Sequence, residues 1–145
     1  MIVFNNIEHG KAIAAAIPRN FNPEKDPVIS NVDASGKLLG GVIYDGCTGS
    51  CIFIHQAGFS KHWLSRDMLW VAFDYVFNQL KCSKVCGTIP SCNQPLLALN
   101  LKLGFKVEAV IVDGYPGADM LVLSMTRDEC RWLKLKPTSL KAGPR

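Results

Sequence analysis

No stretch of the 145-residue chain approaches the ~20 consecutive apolar residues of a membrane-spanning helix. Its first nine residues, Met-Ile-Val-Phe-Asn-Asn-Ile-Glu-His, lack the basic region, long apolar run and small-residue cleavage site of a secretory signal. A cytoplasmic protein without a membrane partner is therefore expected. Glycine (12) and proline (8) are too scarce for a collagen-like or low-complexity chain. Charged residues are also few, at 19% against 48% hydrophobic, which excludes charge-driven disorder and lets one globular domain close a core.

An excess of one charge sign is absent from most of the chain. The net charge of +4 resides in residues 127–145, where Arg127, Arg131, Lys134, Lys136, Lys141 and Arg145 face only Asp128 and Glu129. The rest is balanced, so no basic face is expected and nucleic acid is not an expected partner. The expected organisation is one domain over residues 1–132 and a mobile basic tail over 133–145.

Cysteine is the abundant exception, with six residues. Without a secretory signal they are expected to stay reduced. Two pairs are spaced Cys47-x3-Cys51, with His55 four residues further on, and Cys82-x3-Cys86. If residues 51–56 form a strand, Cys51 and His55 share a face about 13 Å apart. Zinc ligands sit at about 2.0–2.3 Å from the metal, so no metal site is expected. The thiols read as small buried hydrophobes.

Periodicity and turn residues give an order of elements. Residues 1–5 read as a strand, and residues 8–17 as an alanine-rich helix stopped by Pro18. Residues 28–33 and 38–44 are strands split by Ala34-Ser35-Gly36-Lys37, and residues 51–56 add a third antiparallel strand. Ser65 can cap a long helix to about residue 80, with Asp67 in its first turn. Residues 84–89 form a strand closed by Pro90. Residues 95–103 form an amphipathic helix with Gly104 as its C′ residue. Residues 105–113 and 119–125 make a hairpin, and Thr126 can cap a short helix through Trp132. This is an α/β chain: a mixed, mostly antiparallel sheet of six or seven strands with helices on both faces.

That order, with the run Cys92-Asn-Gln-Pro-Leu-Leu-Ala-Leu-Asn-Leu-Lys-Leu-Gly-Phe105, resembles the GNAT superfamily of acyl-CoA-dependent N-acyltransferases. The nearest resemblance is to the branch of the ribosomal-protein N-terminal acetyltransferases, through the placing of Asn93 before Gly104 and the run Phe73-Asp-Tyr-Val-Phe77. The run Arg127-Asp-Glu-Cys-Arg-Trp132 is similar to short GNAT proteins of phages and prophages. The resemblance implies acetyl-CoA as co-substrate and direct acetyl transfer to a primary amine. The acceptor implied is a protein N-terminus, a lysine or a small amine. The alternative it leaves open is a non-catalytic GNAT-like protein with a virion or host protein as partner.

The resemblance also implies a site. The fourth strand splays from the fifth, so backbone amides near Phe53 and Ile54 hold the thioester carbonyl, and Asn93 contacts the pantetheine arm. The pyrophosphate lies at the helix start, over Lys61, His62, Trp63, Leu64, Ser65 and Arg66, where amides and dipole favour an anion. Trp63 stands where the family places a glycine, so an ordinary loop capping a helix is the other reading of this segment. The family's proton donors fall on Asn100 and Leu96, neither of which donates readily. Ser91, Cys92 or a water are the replacement candidates, and His55 is the general-base candidate because imidazole titrates near neutrality. Asp113, Tyr115 and Asp119 flank the last hairpin, either shaping the acceptor pocket or serving as turn residues.

Overall fold

Alternating apolar residues and turn formers yield the following elements in the computed structural model, which describes residues 1–135 and 137. In chain order they are β1 (Ile2–Phe4), α1 (Ile7–Ala16), β2 (Val28–Val32), β3 (Leu38–Asp45), β4 (Cys51–Gly58), α2 (Arg66–Asp74), β5 (Lys84–Pro90), α3 (Gln94–Leu103), β6 (Lys106–Tyr115) and β7 (Ala118–Thr126). The strands form one seven-stranded sheet in the order β1-β2-β3-β4-β5-β7-β6. Every pairing is antiparallel except β4 with β5, which run parallel. The crossover through α2 supplies the length that a parallel connection needs.

Helices cover both faces. On one, α1 packs Ile13 and Ala14 against Val28, Ile43 and Ala57. On the other, Met68, Val71 and Ala72 of α2 meet Val42, Tyr44, Ile52, Val85 and Leu123, with Leu103 of α3 in the same cluster. Neighbouring residues of β2, β3 and β4 thus serve opposite faces, the period of two that a sheet imposes.

Local capping sets the ends. Ser65 caps α2 by accepting from the Met68 N–H at 3.2 Å, as its residue type predicts. Asn93 caps α3 through Leu96 N–H at 3.3 Å, and Gly104 closes α3 in the left-handed conformation.

Two expectations are corrected. The helix from Ser65 is α-helical only to Asp74 and continues as a π-helix over Tyr75–Gln79. In this wider turn the Asp74 carboxylate accepts from both Asn78 (2.8 Å) and Gln79 (2.9 Å), four and five residues on. The short helix expected from Thr126 is instead a turn, held by Glu129 Oε1 accepting from the Thr126 N–H and hydroxyl at 2.9 Å each. A 3₁₀ segment, Arg131–Lys134, follows it. Its Trp132 Nε1 donates to Leu103 O at 2.8 Å, and Arg131 donates to Lys102 O, so this segment caps the carbonyl end of α3. Leu133 packs on the core, while most of the expected tail over 133–145 lies outside the described residues.

Candidate active site

The site begins where the sheet breaks. β4 and β5 pair only through Cys51↔Lys84, Ile52↔Val85 and Phe53↔Cys86. Beyond Phe53, β4 stays with β3 as far as Gly58↔Gly40, whereas β5 stays with β7 as far as Pro90↔Met120. The two strands part, and a cleft of about 480 Å³ opens between them. Ile54, His55 and Gln56 line one wall and Gly87, Thr88 and Ile89 the other. The end of α1 with Arg19, the start of α3 with Asn93, Leu96 and Asn100, and Tyr115 complete it.

Pleating gives the two faces of the cleft different chemistry. Ile52 and Ile54 pack toward α2 and α3, so His55 points to the α1 side. There its Nε2 lies 2.9 Å from Asp45 Oδ1, and the other oxygen of Asp45 accepts from Arg19. A carboxylate only accepts, so Nε2 carries the proton and Nδ1 is left as the basic nitrogen. The His55 side chain is 15% exposed. Burial holds its pKa below the ordinary 6.5, opposed by the hydrogen bond and charge of Asp45; Arg19 lowers it further and Asp26 raises it. The imidazole is therefore neutral at pH 7.

On the opposite side, Gln56 Nε2 donates to Asn100 Oδ1 at 3.1 Å, and Asn100 Nδ2 donates to Leu96 O at 2.9 Å. Asn100 is thus a buried bridge from β4 to α3. Tyr115 reaches into the cleft from the last hairpin and donates its hydroxyl to Thr88 Oγ1 at 3.0 Å.

The other expected residues are distributed as follows. Phe53 is the last residue of β4 paired with β5, and Ile54 the first released. Asn93 lines the cleft, though its Oδ1 is committed to the α3 cap. Ser91 accepts from Asp119 N–H at 3.0 Å and Cys92 is exposed; neither lines the cleft. Lys61, His62 and Arg66 are exposed around the start of α2, with Leu64 and Ser65 half-buried. Trp63 turns inward, 7% exposed, with its carbonyl accepting from Asn31 Nδ2 at 2.8 Å. Its ring covers Gly40 and Gly58, where an added Cβ would lie 2.7 and 2.2 Å from ring atoms. Glycine is needed beneath this ring for its close approach to β3 and β4.

Asp45 and Arg19 escaped the sequence reading. Asp45 sits in a turn-forming run, Asp45-Gly46-Cys47-Thr48-Gly49, and nothing local ties it to His55. Arg19 comes from a proline-flanked loop with no signal at all. The glycines at 40 and 58 were the available hint that a large side chain lies on the sheet.

No family model matches the chain, and no curated protein matches it. Solved structures do. The spermidine/spermine N-acetyltransferase SpeG from Vibrio cholerae superposes with a TM-score of 0.68 at 14% identity, over 87% of this chain and 91% of that one. The IAA acetyltransferase from Bacillus cereus gives 0.64 at 14% identity, over 87% and 99%. A GNAT-family acetyltransferase from Bacillus anthracis gives 0.59 at 13% identity, over 82% and 83%. At such identities the likeness establishes the fold, which is that of the GNAT acetyltransferases.

Proposed function

With this fold as premise, we propose that the chain is an N-acyltransferase carrying acetyl from acetyl-CoA to a primary amine. The observation that carries the reading is the parting of β4 from β5 beyond Phe53, with a half-buried, neutral His55 on the cleft wall.

The residues present fit the co-substrate. The strands part where an extended arm must enter, and a Cβ at Gly87 would have only Ile54 O near it, at 3.6 Å. Apolar Leu96, Phe105 and Leu123 line the arm's path, and Asn93 stands at its side. Lys61 and Arg66 bring charge to the start of α2, where helix amides and dipole favour a pyrophosphate. Bound there, acetyl-CoA supplies a thioester carbonyl open to attack by an amine.

His55 Nδ1 takes the proton of the attacking amine, while Asp45 fixes the ring and stabilises the imidazolium that results. Arg19 holds Asp45 in place. The Tyr115 hydroxyl, on the far wall, is the proton donor to the departing thiolate, a task that the buried Asn100 cannot perform. The named neighbours include a polyamine acetyltransferase, which supports a small-amine acceptor. The run from Asn93 to Gly104 supports kinship with the ribosomal-protein branch, and residues 127–132 a phage or prophage source acting in the host cytoplasm.

The test is thiol release from acetyl-CoA on adding spermidine, lysine or an N-terminal peptide. The expected result is amine-dependent release that His55→Gln abolishes. Absence of amine-dependent release with all three, or full release by the variant, overturns the proposal.

A further inference from the structure

One cysteine of each Cys-x3-Cys motif meets the other across the paired ends of β4 and β5. On the α1 side of the sheet, Cys51 Sγ and Cys86 Sγ lie 3.0 Å apart. That is closer than two non-bonded sulfurs rest when indifferent to each other. Cys82 belongs to the core on the α2 side, and burial first, then the nearby Cys47, pushes its thiol up to about 11. The two strands' last parallel pair is Phe53↔Cys86, so the Cys51–Cys86 contact lies at the neck from which the cleft opens.

We propose that Cys51 and Cys86 are a redox-active dithiol, closed to a disulfide by a low-molecular-weight disulfide of the glutathione type. Cys51 is half-buried and accessible at the strand start, whereas Cys86 is 5% exposed. The Cys51 thiolate attacks the small disulfide, forming a mixed disulfide and releasing one small thiol. Cys86 then attacks Cys51 Sγ, and the second small thiol leaves. Two protein thiols are oxidised, one small disulfide is reduced, and the two protons pass to the released thiolates. Burial pushes the Cys86 thiol up to about 12. It is therefore inert toward an external reagent, and its reactivity comes from being held against Cys51. The contact is diagonal, so bond formation draws the two strands together at the end where they begin to diverge. The linkage closes a loop containing α2 and ties the two walls of the cleft at their root.

The test uses the full chain, oxidised glutathione, and intact-mass and peptide mapping after alkylation. The expected product is a loss of about 2 Da, mapped to Cys51–Cys86, with the other four cysteines alkylated. It should unfold at higher temperature than the reduced form, because the cross-link constrains the unfolded chain. Cys86→Ser should stop at a stable glutathione adduct on Cys51. Because Cys86 is buried, Cys51→Ser serves as the second variant and should lose both adduct and bond while folding normally. A persistent adduct on wild-type Cys51 overturns the proposal. So does a bond joining Cys47 to Cys82 or Cys51 while Cys86 stays alkylatable, and so does a crosslink between molecules.

Discussion

The two ends of β4 do different work. Its first three residues pair with β5, Phe53 with β3 as well, and Ile52, 2% exposed, anchors the core. From Ile54 onward it is paired with β3 alone and presents His55 and Gln56 to a cleft. Each end contributes one isoleucine, Ile52 or Ile54, to the same core, so the difference in pairing does not come from the apolar residues. It comes from β5, which follows β7 instead of β4 after Cys86. A strand interior can thus become a binding surface without any loop, provided its neighbour is held elsewhere.

Substitutions at the two ends should separate stability from chemistry. The largest effect expected is on rate: His55→Gln should lower acetyl transfer by about 10²–10⁴-fold with little change in thermal midpoint at about pH 8, above the range where His55 titrates, measured by thiol release and melting. At the other end, Ile52→Ala should cost about 2–5 kcal/mol in denaturant unfolding yet leave the rate per folded molecule unchanged. If Ile52→Ala altered the rate while His55→Gln altered stability, the division of labour would be wrong.

Asp45→Asn sharpens the chemical half. Asp45 raises the pKa of His55 against the lowering effect of burial. Its removal should slow transfer about tenfold, the equivalent of ~1.4 kcal/mol, and move the acid limb of the pH–rate profile to lower pH. In the wild type that limb lies below 6.5, the ordinary value. The same group ties stability to pH. The folded pKa is depressed, so the unfolded chain binds the extra proton first. His55's contribution is therefore complete above about pH 6.5 and is lost as pH falls through the window beneath it. His55→Gln should flatten that part of the stability profile. Gln56→Ala removes the bridge to Asn100 and should cost about 1 kcal/mol, read by denaturant unfolding, because it leaves the Asn100 acceptor unpaired.

The elements were legible because each is announced locally. Apolar runs split by a turn marked β2 and β3, Ser65 marked a helix start, and Gly104 marked an end. The π-helix over Tyr75–Gln79 was not, because its hydrogen bonds shift by one residue without altering the apolar stripe. Arg131 and Trp132 read as a helix of their own, yet they serve the end of α3, a contact 29 residues long in sequence for Trp132. His55, the candidate base, was named from its residue type and strand position, and the structure places it on the cleft wall. Its partners Asp45 and Arg19 were not named, since the cluster unites the end of β3, the middle of β4 and a loop, 26 residues separating Arg19 from Asp45. Trp63 looked like a lost glycine because its loop was compared with a motif, whereas the glycines that matter are under its ring, on β3 and β4.

The most direct test of the central claim fills the cleft from the β5 side. Gly87 faces the opening with room beside it, and its backbone does not require glycine. Acetyl-CoA titrated calorimetrically into the wild type should release or absorb heat with saturation. Gly87→Phe should give none while melting at nearly the wild-type temperature. Saturable binding that the Phe variant leaves intact, or no binding by the wild type at millimolar acetyl-CoA, would contradict the claim that the parted strands hold the co-substrate.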